Sequence, residues 1–196
     1  MMAAAAVGVR CQAGSMTTQL LQRRVWHPRL LWPRESDLVG WLAEHLDQLA
    51  DCLGIDRLDF VGRETAIGER CDRDRSYGRR HPYSEMRLDL AATDERGRLV
   101  VIEAQFGPAD HDHLGKLLNY AQTVGAYRAV WLVADLDPEF DIGFLNTLAE
   151  MEEKFVGSHH FAVVAVTVAS EQRPGPLADD EPVRPWLHNI PLRGDS

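Results

Sequence analysis

The sequence predicts an α/β domain with a mixed central sheet and helices on both faces. Three observations carry that expectation. The runs "RAVWLVAD" (128–135) and "HHFAVVAVTVAS" (159–170) are continuously apolar, as in strands covered on both sides. The segments "MRLDLAATD" (86–94) and "RLVVIEAQF" (98–106) flank a tight turn at Asp94–Gly97 and form a hairpin. Segments of helical periodicity separate the remaining runs, so the predicted order is αβββαβαβ.

The first helix is expected within "WPRESDLVGWLAEHLDQLADCLGI". Ser36 is a good N-cap, and Asp37 suits the positive helix end. Leu38, Trp41, Leu42, His45, Leu46, Leu49 and Leu53 share one face, and Gly54 stands where a glycine ends a helix. His45 reads as a core-edge histidine. "RLDFVGRETAIG" (57–68) alternates as a strand does. A helix follows the hairpin from about Asp110, a capping residue, to Val124, with Leu114, Leu117, Leu118 and Ala121 on its apolar side. "PEFDIGFLNTLAEMEEKF" (138–155) is a helix with Pro138 near its start.

A chain of 196 residues is long enough for one domain with a full core. Residues 1–16 read as a disordered extension, 17–170 as the domain, and 171–196 as a tail packing on the surface. The longest apolar runs fall short of a membrane span, so no membrane partner is expected. Three widely spaced cysteines with no CxxC fit a reducing cytoplasm and argue against a disulfide framework or zinc knuckle. The net charge of −9 means that the surface as a whole does not attract nucleic acid. Such a partner would need a local basic face, or metal ions offsetting acidic groups.

One local basic face is available in "ERCDRDRSYGRRHPYSE" (69–85), where Arg79 and Arg80 stand among Tyr77, His81 and Tyr83. Arginines with aromatics can hold phosphates and stack bases. The same stretch carries enough Asp and Glu to read equally well as a solvated loop.

Asp89 and Glu103 interrupt otherwise apolar strands. They stand equally far from the turn, so pairing places them opposite one another, with Cβ atoms roughly 4.5–5.5 Å apart. Two carboxylates that close are tolerated if one keeps its proton or if a divalent cation sits between them. Hard oxygen ligands suit Mg²⁺ or Mn²⁺ rather than zinc. A carboxylate pair at a fraying sheet edge is the alternative. Val100, Val101 and Ile102 weaken it, because they lead into Glu103 as a central strand would. Gln105 lies two residues on, toward the same face.

An Asp, a hairpin and a hydrophobic strand ending Glu-x-Lys resemble the signature of the PD-(D/E)xK nuclease superfamily, which has the restriction-endonuclease-like fold. Here "RLDLA" and "VVIEAQ" supply an ExQ variant. "KLLNY" (116–120) resembles the helix motif that several branches place beside the site. The block "DLAATDERGRLVVIEAQFGPADHDHLGKLLNYA" is similar to uncharacterised bacterial members with a DHDHLGKLLxYA motif. The resemblance implies a three-layer fold and metal-dependent phosphodiester hydrolysis of nucleic acid, DNA ahead of RNA, of restriction, defence or repair type. It implies Mg²⁺ (or Mn²⁺) on Asp89, Glu103 and the Ala104 carbonyl. Gln105 and Lys116 would take catalytic roles, and Lys116 and Tyr120 would contact the phosphate backbone. Glutamine can orient water but carries no charge, so a nucleic-acid-binding module that no longer cuts is the alternative. Lys116 could supply the missing charge. His111 and His113, with His113 preferred, are candidates for a proton donor, a metal ligand or a nucleic-acid contact. Glu35, Asp37 or Glu44 could add a carboxylate from the first helix. A homodimer would suit a nuclease that cuts two strands.

Overall fold

The computed structural model describes residues 25–66, 87–108, 110–135, 138–154, 160–170 and 183–192. The 1–16 extension and the 69–85 segment, with Arg79 and Arg80, lie outside the described residues.

The sheet runs through β2 (Leu58–Ala66), β3 (Arg87–Asp94), β4 (Leu99–Pro108), β5 (Arg128–Asp135) and β6 (His160–Ser170) in spatial order. Strands β2, β3 and β4 pair antiparallel, whereas β4, β5 and β6 are parallel neighbours. The sheet is therefore mixed, as expected. Two further strands, β1 (Val25–Trp26) and β7 (Val183–Ile190), pair antiparallel with β6. Both meet Ala169, so they lie on its opposite edges, and β1 occupies the β5 side beyond the end of that pairing. The C-terminal segment expected to wrap the surface thus supplies a strand, β7. Its Pro185 and Leu187 are buried, so Val183–Ile190 is part of the sheet.

Helices cover both faces. On one side lie α1 (Glu35–Glu44) and α2 (Leu46–Leu53), whose Leu38, Leu42 and Leu49 pack with Leu90, Ile102, Leu132 and Val164 of the sheet. On the other lie α3 (His111–Val124) and α4 (Pro138–Lys154), where Leu117, Ala121 and Leu148 meet Val101, Trp131 and Val133. The result is three layers, with β5 sealed between them.

The single first helix predicted from periodicity is two helices. The backbone leaves helical geometry at His45 (φ −131°, ψ 41°), whose Nδ1 lies 2.8 Å from the Trp41 carbonyl oxygen. The His45 ring stacks on Trp41 at 4.6 Å. That local bond and stack replace the next helical turn. The cap is also two residues earlier than Ser36: Arg34 is the N-cap, and its backbone N–H donates to Asp37 at 3.2 Å.

The β3–β4 turn follows from one side chain. The buried Asp94 carboxylate accepts from Arg96 N (3.0 Å), Arg98 N (2.9 Å) and Arg98 Nε (2.7 Å). Burial opposes its ionisation, but the bonds from Arg98 and Arg96 win and hold the carboxyl below its usual range. The register that results is Leu90 opposite Ile102, with Ala91 opposite Val101.

Candidate active site

The β3–β4 ladder ends at the Leu90–Ile102 pair, and the next step along this register holds Asp89 and Glu103. Side chains take over from the ladder. Ala104 N donates to Asp89 Oδ2 at 2.9 Å, and Phe106 N donates to Glu35 Oε2 at 3.0 Å. Both amides leave the same edge of β4, because alternate residues of a strand point the same way. Two carboxylates thus satisfy backbone donors that a longer β3 would have taken. An amide and its own carbonyl leave a strand on the same side, so the Ala104 carbonyl also faces the gap that Asp89 fills.

Glu103 is only 4% exposed, and its Oε2 is buried with no hydrogen-bond partner among the described residues. Burial, and then the negative charge of Asp89, push its carboxyl up to about 8. Lys116 and Glu35 act on it in opposite directions, and the lysine lowers the value. Burial also raises the Asp89 carboxyl, against the pull of the Ala104 N–H. The Tyr120 phenol is pushed up to about 12 by burial and by the charges of Glu103 and Asp89, so it remains a donor at neutral pH.

The oxygen donors fit a hard divalent cation. Glu103 has an unmet acceptor oxygen, Asp89 lies beside it, and a backbone carbonyl faces the same gap. Among the described residues no group of three or more His, Cys, Asp or Glu side chains could hold a metal. Two carboxylates with water and substrate completing the sphere is a pattern that Mg²⁺ accepts and zinc does not favour.

Other predicted residues fall into place unevenly. Lys116 is exposed on α3 and acts on both carboxylates through space, with no ion pair to either. Tyr120, expected at a phosphate, is instead 4% exposed in the α3-side core and faces the carboxylates. Four residues along a helix carry slightly more than one turn, enough to take one side chain outside and the other in. His111 is exposed on the first turn of α3. Of the three first-helix candidates, Glu35 reaches the site, Asp37 pairs with Arg34 at 2.6 Å, and Glu44 is exposed.

Gln105 departs most from expectation. It is 2% exposed, and both ends of its amide are engaged. Trp131 Nε1 donates to its Oε1 at 3.1 Å, and its Nε2 donates to Asp110 Oδ2 at 2.9 Å. Trp131 stands opposite Glu103 on β5, so the bond runs across one face of the sheet. Asp110 in turn accepts from His113 N at 2.8 Å as the N-cap of α3, and holds His113 Nδ1 at 2.9 Å. Burial opposes ionisation of Asp110, but His113 holds its carboxyl below the usual value. Gln105 therefore ties the sheet to the start of the helix through its amide. Trp131 and the second role of Asp110 were illegible in sequence, because Trp131 sits in no motif and the motif that contains Asp110 does not show its bond to Gln105.

Replacing Asp110 by Ala should cost about 1–2 kcal/mol, a helix cap's worth. Urea unfolding at pH 7 would measure it; a change within about 0.3 kcal/mol would mean that the cap does not carry the α3 start.

No protein-family model matches the chain, and no curated protein does. Among solved structures, a repair endonuclease from Pyrococcus abyssi is similar at 15% identity, over 65% of this chain and 45% of that one, with a TM-score of 0.41. The chain spans less than half the length of that structure.

A cleft of about 710 Å³ opens beside Asp89, between α1 and the β2–β3 edge. Its walls include Arg34, Glu35, Gly40, Arg63, Glu64 and Arg87. Arg34 and Arg63 fall in no sequence motif, and only the fold brings them beside the carboxylates.

Proposed function

We propose that the chain is a nuclease of the PD-(D/E)xK type, hydrolysing phosphodiesters of nucleic acid, DNA in the first instance, with Mg²⁺ or Mn²⁺. The observation that carries the reading is the Asp89–Glu103 pair at the opened end of the β3–β4 ladder, with an unmet carboxylate oxygen inside it.

Asp89, Glu103 and the Ala104 carbonyl would hold the cation. Once bound, it supplies Lewis acidity toward the phosphate and toward the attacking water. The protein does the rest through placement. Lys116 adds positive charge on the solvent side of the carboxylates, where a phosphate would arrive. Tyr120 keeps its proton and can donate a hydrogen bond into the site. Gln105 and Asp110 keep the start of α3, and so His113 and Lys116, at a set distance from the sheet. His113, with Nδ1 on Asp110, is placed to hold or release a proton at its other nitrogen.

A second reading has one specific observation in its favour. The Gln105 amide is committed at both ends, and no lysine ion-pairs with the carboxylates. A module that binds nucleic acid without cutting it would show that arrangement.

Incubation of the purified protein with plasmid and single-stranded DNA, with Mn²⁺, separates the two. Cleavage should appear, and Asp89→Ala and Glu103→Ala should each lose more than the roughly 10–100-fold typical of residues behind a metal ligand. Equal cleavage by Asp89→Ala would remove the nuclease reading. Binding without cleavage in wild type would select the second.

A further inference from the structure

We propose that the cleft between α1 and the β2–β3 edge seats a backbone phosphate of the nucleic acid on Arg63 and Arg87, and that Gly40 keeps the space that Arg63 needs. The ligand class rests on the nuclease reading; the seat rests on residues which that reading does not use.

Strand β2 turns Arg63 toward the cleft. Phe60 pairs with Ala92, but Gly62 pairs with Ala91, so Val61 is an extra residue, a bulge. A one-residue shift moves every later side chain to the other face. Arg63 therefore stands opposite Leu90, whose side chain belongs to the α1-side core. Without the bulge it would face away from α1.

Gly40 lies within α1 and has no positive φ to explain it. Glycine in a helix interior is unfavourable relative to alanine, so its presence asks for a local reason. A Cβ built there would fall 2.6 Å from Arg63 Nη1. The guanidinium occupies the volume that any other residue would fill.

Both arginines have donors to give. Arg63 is exposed and has no hydrogen bond or ion pair among the described residues. Arg87 makes one long contact, Nη1 to the Glu64 carbonyl oxygen at 3.5 Å. The other charged groups of the cleft, Glu64 apart, already have hydrogen-bond or ion-pair partners. Arg34 is paired with Asp37, Glu35 takes Phe106 N, and Asp89 takes Ala104 N. Glu64 is the acid left between the two arginines, and its backbone is held at φ 46°, a conformation that non-glycine residues rarely adopt. Strained backbone and bulges recur beside functional sites, and here the two stand three residues apart on one strand. A guanidinium presents a planar fork that matches two phosphate oxygens. The seat lies beside Asp89, so the phosphate held there would flank the one being cut.

The test measures binding apart from cutting. A fluorescein-labelled DNA duplex and its single strand are titrated with the full chain in Ca²⁺ and in EDTA, over a range of salt. Arg63→Gln and Arg87→Gln should each weaken binding about tenfold and lower the salt slope by about one, as expected of one lost phosphate contact. Gly40→Ala should leave the thermal midpoint equal or higher and still weaken binding, because the added methyl displaces Arg63. Arg57→Gln, at an exposed arginine paired with Asp59, should change neither. Wild-type affinity in Arg63→Gln and Arg87→Gln would overturn the seat, and the nuclease reading would survive if Asp89→Ala still abolished cleavage. Failure of the wild-type chain to bind either DNA would overturn both.

Discussion

Glu103→Gln should raise the thermal midpoint of the metal-free protein at pH 8 and erase its stabilisation by Mg²⁺ or Mn²⁺. The Glu103 carboxyl titrates near 8 in the folded protein, against 4.5 as the ordinary value. Between those values the folded state holds a proton that the unfolded chain has lost. Stability of the metal-free protein therefore falls as pH rises through that window and levels off above it. Asp89 is shifted in the same direction and adds to the slope. An amide at 103 carries no charge to desolvate and can donate to Asp89. The expected gain at pH 8 is about 1–3 kcal/mol, or about 2–12 °C for a chain of this size. Thermal melts at pH 5 and pH 9, with and without Mn²⁺, read all of this. A substituted protein with the same pH slope and the same metal shift as wild type would mean that the carboxylates neither repel each other nor share a cation. The same logic explains why a costly group is kept: a buried, under-satisfied carboxylate is unfavourable for folding and useful to a ligand that binds only the folded state.

Gln105→Lys should damage the protein although it restores the Glu-x-Lys pattern that the chain resembles. If residue 105 acted on the attacking water, lysine would speed cleavage. The geometry predicts the reverse. A lysine cannot accept the Trp131 N–H, and it brings a long cationic stem into a site that is 2% exposed. Pairing with Asp110 offsets part of the cost, but that shift disturbs the cap of α3 and with it His113. The expected loss is about 2–4 kcal/mol in urea unfolding, with cleavage reduced. Faster cleavage at unchanged stability would show that Gln105 is a catalytic group after all. Gln105→Met offers a useful contrast: it keeps the volume, loses both hydrogen bonds and adds no charge.

The two substitutions mark where local reasoning works. Asp89 and Glu103 were legible because a short turn sets hairpin register, and register sets which side chains meet. The Asp110 cap and the α3 span were legible for a similar reason, since caps and helical periodicity act within a few residues. Gln105 was legible as a position, but its hydrogen-bond partners were not. Its partners, Trp131 and Asp110, come from another strand and from a helix cap, and nothing adjacent to residue 105 announces them. The burial of Tyr120 was illegible in the same way: a phase difference of a few tens of degrees between Lys116 and Tyr120 separates solvent from core.

The sequence by itself determined the α/β class, the order of most elements, the hairpin that brings two carboxylates level and the cap that starts α3. All of these rest on interactions between residues close in the chain. Only the tertiary structure decided that the first helix breaks at His45, that β7 joins the sheet, that Glu35 closes the open edge of β4 at Phe106 and that Gly40 makes room for Arg63. Those outcomes depend on which faces meet across the three layers, and a linear pattern of hydrophobicity carries no record of such meetings.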